Sequence, residues 1–177
     1  MSTLLQKEIK INKTLATNIE QAKALDDYAR IRILQILYHK QLSTEQIVEE
    51  LHKEGYKKAT TTIRHHLDVL KDAGLVEIVK MEEIRGAVLK YYGTTVKVLG
   101  HKLPPNFETE FSKTITEASV RLEKIMKNIA QSAGTKMKKK SSAKNNPEPH
   151  YEEYILVEIM NRAMTRVFEE NNSILQK

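Results

Sequence analysis

The chain has 177 residues, 40% hydrophobic and 29% charged, with a formal net charge of +6, a globular balance sufficient for one ordinary domain with extensions or for two small ones. It contains no cysteine, which excludes disulfides, thiolate metal sites and cysteine nucleophiles together. No apolar run approaches the roughly 18 residues of a membrane span, and the N-terminus lacks the basic-then-apolar order of a secretory signal, so a soluble, cytoplasmic protein with no membrane partner is expected.

Residues 1–18 mix Leu4, Leu5, Ile9, Ile11 and Leu15 with Lys and Thr. Leu4, Ile11 and Leu15 fit a helical stripe, whereas the β-branched Ile9-Lys10-Ile11 centre opposes one. The segment reads as an N-terminal arm that either docks on a partner subunit or frays. From Ile19 to Lys40 the helical pattern strengthens. Asp26 or Asp27 can cap a new helix start, and Ile31, Leu34, Ile36, Leu37 and Tyr38 supply its inner face to a helix end near His39. Ser43-Thr44-Glu45-Gln46 fits a capping box. The helix that it opens runs to about Lys53 with Ile47, Val48 and Leu51 inward, and Gly55 closes it.

A turn from Gly55 to Ala59 leads to the stretch on which the reading depends, Thr60 to Ala73. Ile63, Leu67 and Leu70 recur at helical spacing and form a core-facing stripe. At 100° per residue Thr61, His65, Asp68 and Asp72 lie opposite that stripe, with Thr62 and Arg64 flanking it. The outward face therefore carries hydroxyls, a guanidinium and an imidazole, groups that hydrogen-bond to base edges or phosphates. Gly74 stops this helix. Two short helices joined by a Gly-containing turn make a helix-turn-helix. Leu75–Lys80 and Ala87–Tyr92 then alternate as strands, with residues 81–86 between them as a hairpin tip. The expected fold is mainly α with a small β-hairpin wing: a winged helix-turn-helix followed by long C-terminal dimerisation helices.

The block from Ala24 to about Thr95 resembles the winged helix-turn-helix of the ArsR-type transcriptional regulators, particularly archaeal members. The resemblance rests on Arg30-Ile31-Arg32-Ile33-Leu34, His66-Leu67-Asp68-Val69-Leu70, Ala73-Gly74-Leu75-Val76 and Tyr91-Tyr92, and covers about 70 residues. It implies that Thr61, Thr62, Arg64 and His65 occupy base-reading positions. Asp68 departs from the basic or polar residue more usual at its position. Metal-sensing members carry Cys pairs before the turn, or Asp and His ligands on the dimer helix. Neither set is present, since residues 106–128 contain no His and no Asp, so no metal and no cofactor is expected.

Beyond Pro104-Pro105, Phe111, Ile115, Ala118, Leu122, Ile125 and Ile129 are spaced 4-3-4-3-4, a heptad stripe that calls for another helix. Composition changes at Ser132 to Ser, Ala, Gly, Lys, Asn and Pro through Pro149, the signature of a Lys-rich flexible linker. A final helix from Tyr151 to about Asn171 presents Val157, Met160, Met164, Val167 and Ile174 on one face. The expected organisation is thus an arm over 1–18, a winged helix-turn-helix over 19–103, a dimerisation helix over 104–131, a linker over 132–149 and a C-terminal helix over 150–177.

The sequence pI is near 9.3, and the cations Lys57, Lys58, Arg64, Lys71, Lys80, Arg85, Lys90, Lys97 and Lys102 outnumber the acids between Gly55 and Lys102. The expected DNA-binding set is Lys57, Lys58, Thr60, Thr61, Thr62, Arg64, His65, Lys71, Lys80, Arg85 and Lys90, with Lys57, Lys58 and Lys71 on phosphates and the hairpin lysines and Arg85 along the backbone or in the minor groove. Glu82 and Glu83 oppose phosphate contact at the hairpin. The expected dimerisation set is Phe111, Ile115, Ala118, Leu122, Ile125, Ile129, Val157, Met160, Met164 and Val167. The partners expected are double-stranded DNA and a second copy of the chain. An effector between the C-terminal helices has no specific signature.

Each sharp reading has a plainer competitor. The Thr61–His65 face could be a solvated surface of a protein-interaction module, and the Lys136–Lys144 cluster a solubilising linker rather than a phosphate contact. Sequence-tolerant, architectural DNA binding would use the same cations. Adjacent helical residues point 100° apart, so His65 and His66 make a poor chelate. No Gly-rich phosphate loop or nucleophile elbow is present, and the remaining histidines lack a carboxylate partner at a catalytic spacing, so no catalytic residue and no enzyme activity is expected.

Overall fold

A computed structural model describes residues 16–84, 86–141 and 150–171, without the side chains of 135–141. The chain divides into two compact units, one spanning Thr17–Lys102 and one containing the helices beyond Leu103. The expected N-terminal arm lies almost wholly outside the described residues, as do Arg85 and Ile174.

The first unit opens with helix α1 (Ile19–Leu25) and helix α2 (Tyr28–Leu37). The Asn18 side chain accepts the Gln21 N–H at 2.7 Å to start α1, and Asp27 accepts the Arg30 N–H at 3.2 Å to start α2. The Arg30 guanidinium turns back and donates to the Ala24 carbonyl at 2.5 Å and the Lys23 carbonyl at 3.1 Å. It thus adds a donor to carbonyls at the end of α1, where the Lys23 carbonyl also accepts the Asp26 N–H at 3.3 Å. A short strand β1 (Leu42–Ser43) leads directly into helix α3 (Thr44–Lys53). The capping box is complete: the Ser43 hydroxyl accepts the Gln46 N–H at 3.3 Å, and the Gln46 side chain accepts the Ser43 N–H at 2.8 Å.

Helix α4 (Thr60–Asp72) follows the turn, and α3 and α4 end in the same way. The Gly55 N–H donates to the His52 carbonyl at 2.9 Å and the Tyr56 N–H to the Leu51 carbonyl at 2.8 Å; Gly74 and Leu75 make the equivalent bonds to Lys71 and Leu70, both at 2.9 Å. These are Schellman closures. Each needs a left-handed residue, and Gly55 and Gly74 supply φ of +82° and +70°. Each closure also brings the residue after the glycine onto the core: Leu75 is buried beside Leu70, and Tyr56 packs against the cluster that holds Leu51.

That cluster is the single core of this unit. Ile33, Leu34 and Leu37 from α2, Ile47 and Leu51 from α3, and Ile63, Leu67 and Leu70 from α4 are each at most 1% exposed. The three α4 residues are the stripe that helical spacing predicts.

Strands β2 (Val76–Ile84) and β3 (Ala87–Thr94) form the hairpin. The sheet order is β1-β3-β2, antiparallel throughout. β1 was not anticipated, because two residues are too few to show alternation; Leu42 and Ser43 pair with Tyr92 and Tyr91. The hairpin is also longer than expected. Pairing continues to Ile84 and Ala87, so residues 81–84 belong to a strand and the tip is only 85–86. Gly86, at φ +77°, supplies the positive φ that so short a connection requires. A register shift between Ile78 and Lys80 places Val79 in a bulge, over Gly93, where an added Cβ would lie 2.9 Å from Val79 Cγ1.

The second unit contains helix α5 (Phe107–Ser141) and helix α6 (Tyr151–Glu170). α5 continues through 132–141, where a linker was expected. Ala and Lys are good helix formers, and a change in composition alone does not end a helix when the first proline lies at Pro147. Residues 142–149 are outside the described set. Residues 155–160 in the first half of α6 are half-buried and 161–170 are exposed, and Leu156 faces Ser119, Leu122, Met126 and Ala130 of α5. Among the described residues, no helix is long and apolar enough to cross a membrane.

Substituting Leu67→Ala is expected to lower unfolding free energy by about 2–5 kcal/mol, and Ser43→Ala by about 1 kcal/mol. Urea titrations followed by circular dichroism measure both, and a core substitution costing no more than the cap would overturn this account of the core.

Candidate nucleic-acid interface

Burial of Ile63, Leu67 and Leu70 turns the opposite side of α4 to solvent. Thr61, Arg64, His65 and Asp68 are exposed there, while Thr60 and Thr62 are half-buried. Lys57 and Lys58 are exposed in the turn that leads into α4, so two cations stand at the N-terminal end of the helix. Lys58 Nζ lies 5.9 Å from the Tyr56 ring centroid, and that ring is tilted against Tyr28 with centroids 5.8 Å apart. The Lys58 carbonyl lies 3.4 Å from His52 Nε2, which ties the turn back to α3.

Several of the expected cations are paired with carboxylates. Arg64 Nη2 lies 3.3 Å from Glu45 Oε1, joining the exposed face of α4 to the first turn of α3. Lys71 Nζ lies 3.1 Å from Asp68 Oδ1 on the same helix. Lys80 Nζ lies 2.5 Å from Glu82 Oε1 and 5.0 Å from the Tyr91 ring centroid, while the Tyr91 hydroxyl donates to Glu82 Oε2 at 2.8 Å. The pairs leave their mark on acidity. Hydrogen bonding to Asp68 raises the Lys71 pKa and hydrogen bonding to Glu82 raises that of Lys80. The Glu45 carboxyl is lowered, first by its own backbone N–H and then by the Ser43 hydroxyl and Arg64, against an opposing effect of burial.

The hairpin separates residues that the sequence reading had grouped. Lys80 is opposite Tyr91, whereas Lys90 is opposite Met81. By strand alternation, Lys80 and Lys90 therefore lie on opposite faces of the hairpin. Glu45, Tyr28 and Tyr56 were not among the expected interface residues. Glu45 is 19 positions from Arg64, and its signal in the sequence was absorbed by the capping box.

His66 is the one polar side chain of α4 taken into the core side, at 8% exposure. Its Nδ1 is buried without a hydrogen-bond partner. Burial lowers its pKa below the ordinary 6.5, with the nearby Asp27 charge opposing and Arg30, His65 and Lys58 reinforcing the shift. This geometry suits a neutral imidazole that packs. Among the described residues, no group of three or more His, Asp or Glu side chains is placed to hold a metal.

Residues 25–79 match the family model described as a helix-turn-helix domain. The match spans α2, α3, α4 and the start of β2, and with the hairpin this unit is a winged helix-turn-helix. Among solved structures, PadR of Bacillus subtilis in complex with operator DNA is 15% identical, over 84% of this chain and 98% of that one, with a TM-score of 0.35. That likeness is too loose to set any feature of this chain. A search of curated proteins finds no match.

Because the folded His66 pKa is lowered, the unfolded chain binds its proton more readily, and stability is full above about pH 6.5 and lost as pH falls below it. Urea midpoints are expected to fall between about pH 7 and 5, and His66→Leu is expected to flatten that fall. The Asp27 carboxyl does not confuse the window. Burial pushes it up, but the Arg30 N–H and the charges of His66 and Arg30 leave it below 3.8, so its contribution disappears only at more acid pH. A slope unchanged in His66→Leu would overturn the assignment.

Proposed function

We propose that this protein is a sequence-specific DNA-binding transcription regulator, without enzymatic activity, that acts as a homodimer. α4 enters the major groove with Thr61, Thr62, Arg64 and His65 nearest the bases, beside Thr60. Lys57, Lys58 and Lys71 contact phosphates, and the hairpin with Lys80, Arg85 and Lys90 lies along the backbone or reaches the minor groove. The observation that carries this reading is the sidedness of α4: an apolar stripe in the core and, opposite it, an exposed row of hydroxyl, guanidinium and imidazole groups with two lysines at its N-terminal end. The archaeal ArsR-type assignment rests on the residues quoted for that resemblance, all of which fall in this unit.

The dimer rests on the second unit. Phe111, Ile115, Leu122 and Ile125 of α5 are each more than 40% exposed, and so are Met164 and Val167 of α6. A heptad-spaced apolar stripe left open over this length suits a second copy, and a two-fold dimer would read inverted half-sites with doubled contacts. Replacing Leu122 and Ile125 together by Glu is expected to yield a monomer in sedimentation velocity and to weaken DNA binding. A dimer that persists would remove this surface from the interface.

Fluorescence anisotropy against a duplex from upstream of the gene and a scrambled duplex, at two salt concentrations, tests the function directly. Specific sites bind about 10³–10⁷-fold tighter than non-specific DNA. Arg64→Ala is expected to cost about 1–3 kcal/mol of binding and to relax preference at one base step. Lys58→Ala is expected to weaken all sequences alike and to flatten the salt slope by about one unit. Uniform loss from both would argue against base reading by Arg64. Equal binding to both duplexes would favour an architectural role, and no binding to either would favour a protein-interaction module.

A further inference from the structure

We propose that Glu45 is a specificity-determining residue that reserves Arg64 for base edges by keeping phosphate away from it. The inference rests on the DNA-binding reading above and adds to it a role for a residue on α3.

Both side chains of the Arg64–Glu45 pair are more than half exposed, and exposed pairs contribute little to folding. The pairing with Arg64 therefore gives little stability in return for an acid at the edge of a surface that is otherwise suited to a polyanion. The carboxylate is nevertheless held in place. Its Oε2 accepts the Ser43 hydroxyl at 3.2 Å, its own backbone N–H bonds it, and it sits in the first turn of α3, where the helix dipole favours negative charge. Its lowered pKa keeps it ionised. Ser43 itself is buried and fixed by the capping box. Glu45 is thus a fixed negative charge, and Arg64 is its exposed partner.

Such an arrangement discriminates between two kinds of acceptor. A phosphate approaching Arg64 meets the Glu45 charge within a few ångströms and must displace it, on any DNA sequence. A guanine O6/N7 edge carries only partial negative charge and is repelled far less. A guanidinium has five N–H donors; the contact to Glu45 uses Nη2 alone and leaves donors free for a base edge. The carboxylate also narrows the orientations open to a long side chain, which favours one bidentate geometry over many loose ones. Glu45 therefore lowers non-specific binding more than specific binding.

The other two pairs provide an internal comparison. Lys71 with Asp68 and Lys80 with Glu82 involve cations assigned to the DNA backbone, so their acids reduce attraction to every sequence alike. Among the described residues, Lys57, Lys58 and Lys90 have no carboxylate in an ion pair.

The full chain and its Glu45→Gln, Glu45→Ala, Asp68→Asn and Glu82→Gln variants are titrated across a salt series with two duplexes, one enriched by the unmodified protein from a randomised library and one a shuffled sequence of the same composition. Glu20→Gln on α1 controls for net charge, and thermal melts confirm folding. Both Glu45 variants are expected to bind the shuffled duplex roughly 3–10-fold more tightly, with its salt slope steeper by about 0.9. Binding to the enriched duplex changes far less, so the specificity ratio falls by about the same factor. Asp68→Asn and Glu82→Gln raise both affinities together and leave the ratio unchanged. If the Glu45 variants also raise both affinities equally, or match Glu20→Gln, this inference is wrong while the DNA-binding reading survives. If the unmodified protein binds neither duplex at low salt, or enriches no sequence, that reading fails and this inference fails with it.

Discussion

The burial of one stripe of α4 is the constraint on which the rest of the first unit depends. Ile63, Leu67 and Leu70 sit in a core shared with α2 and α3 at no more than 1% exposure, and helical geometry permits no independent choice of what faces outward. Once those three positions are inside, Arg64, His65 and Asp68 are outside. The two Schellman closures carry the constraint along the chain. One glycine turns α3 into the segment before α4, the other turns α4 into β2, and in each case the next residue packs onto the same core. The exposed row and the hairpin are therefore held by a single apolar cluster.

His66 shows the cost of this arrangement. Its neighbour His65 faces solvent, but one step of 100° takes His66 to the buried side, where Nδ1 is left without a partner. The imidazole is consequently favoured in its neutral form. A charged histidine at this position would set a charge only partly offset by Asp27 on the buried side of the helix that presents the candidate interface. Packing of that helix and the protonation state of one of its own residues are thus linked by location alone.

Charge on this surface is more structured than the excess of cations suggests. A net charge of +6 describes attraction at long range, but contact chemistry depends on which cations are already engaged. Among the described residues, Arg64, Lys71 and Lys80 each hold an acid, while Lys57 and Lys58, at the entrance to α4, do not. The free charges of the helix region stand at its N-terminal end and the occupied ones along its face, while the hairpin carries one of each, Lys90 and Lys80. In the second unit the equivalent contrast is between the half-buried residues 155–160 of α6 and the open heptad stripe of α5, an apolar surface that two helices do not exhaust.

Local pattern was enough for the elements that rest on nearest neighbours along the chain. The Ser43–Gln46 capping box, the Gly55 and Gly74 stops and the 3.6-residue period of Ile63, Leu67 and Leu70 all act within a turn or two of helix, so residue order alone implies them. Three features do not act over that range. β1 is two residues long and exists only because β3 comes beside it. The hairpin extends to Ile84 because cross-strand pairing outweighs the poor strand character of Glu82 and Glu83, and α5 passes through a stretch whose composition reads as a linker. The Arg64–Glu45 pair belongs with these. Its members lie on different helices, and their approach is set by how α3 and α4 cross over a shared core, a distance that no spacing along the chain encodes.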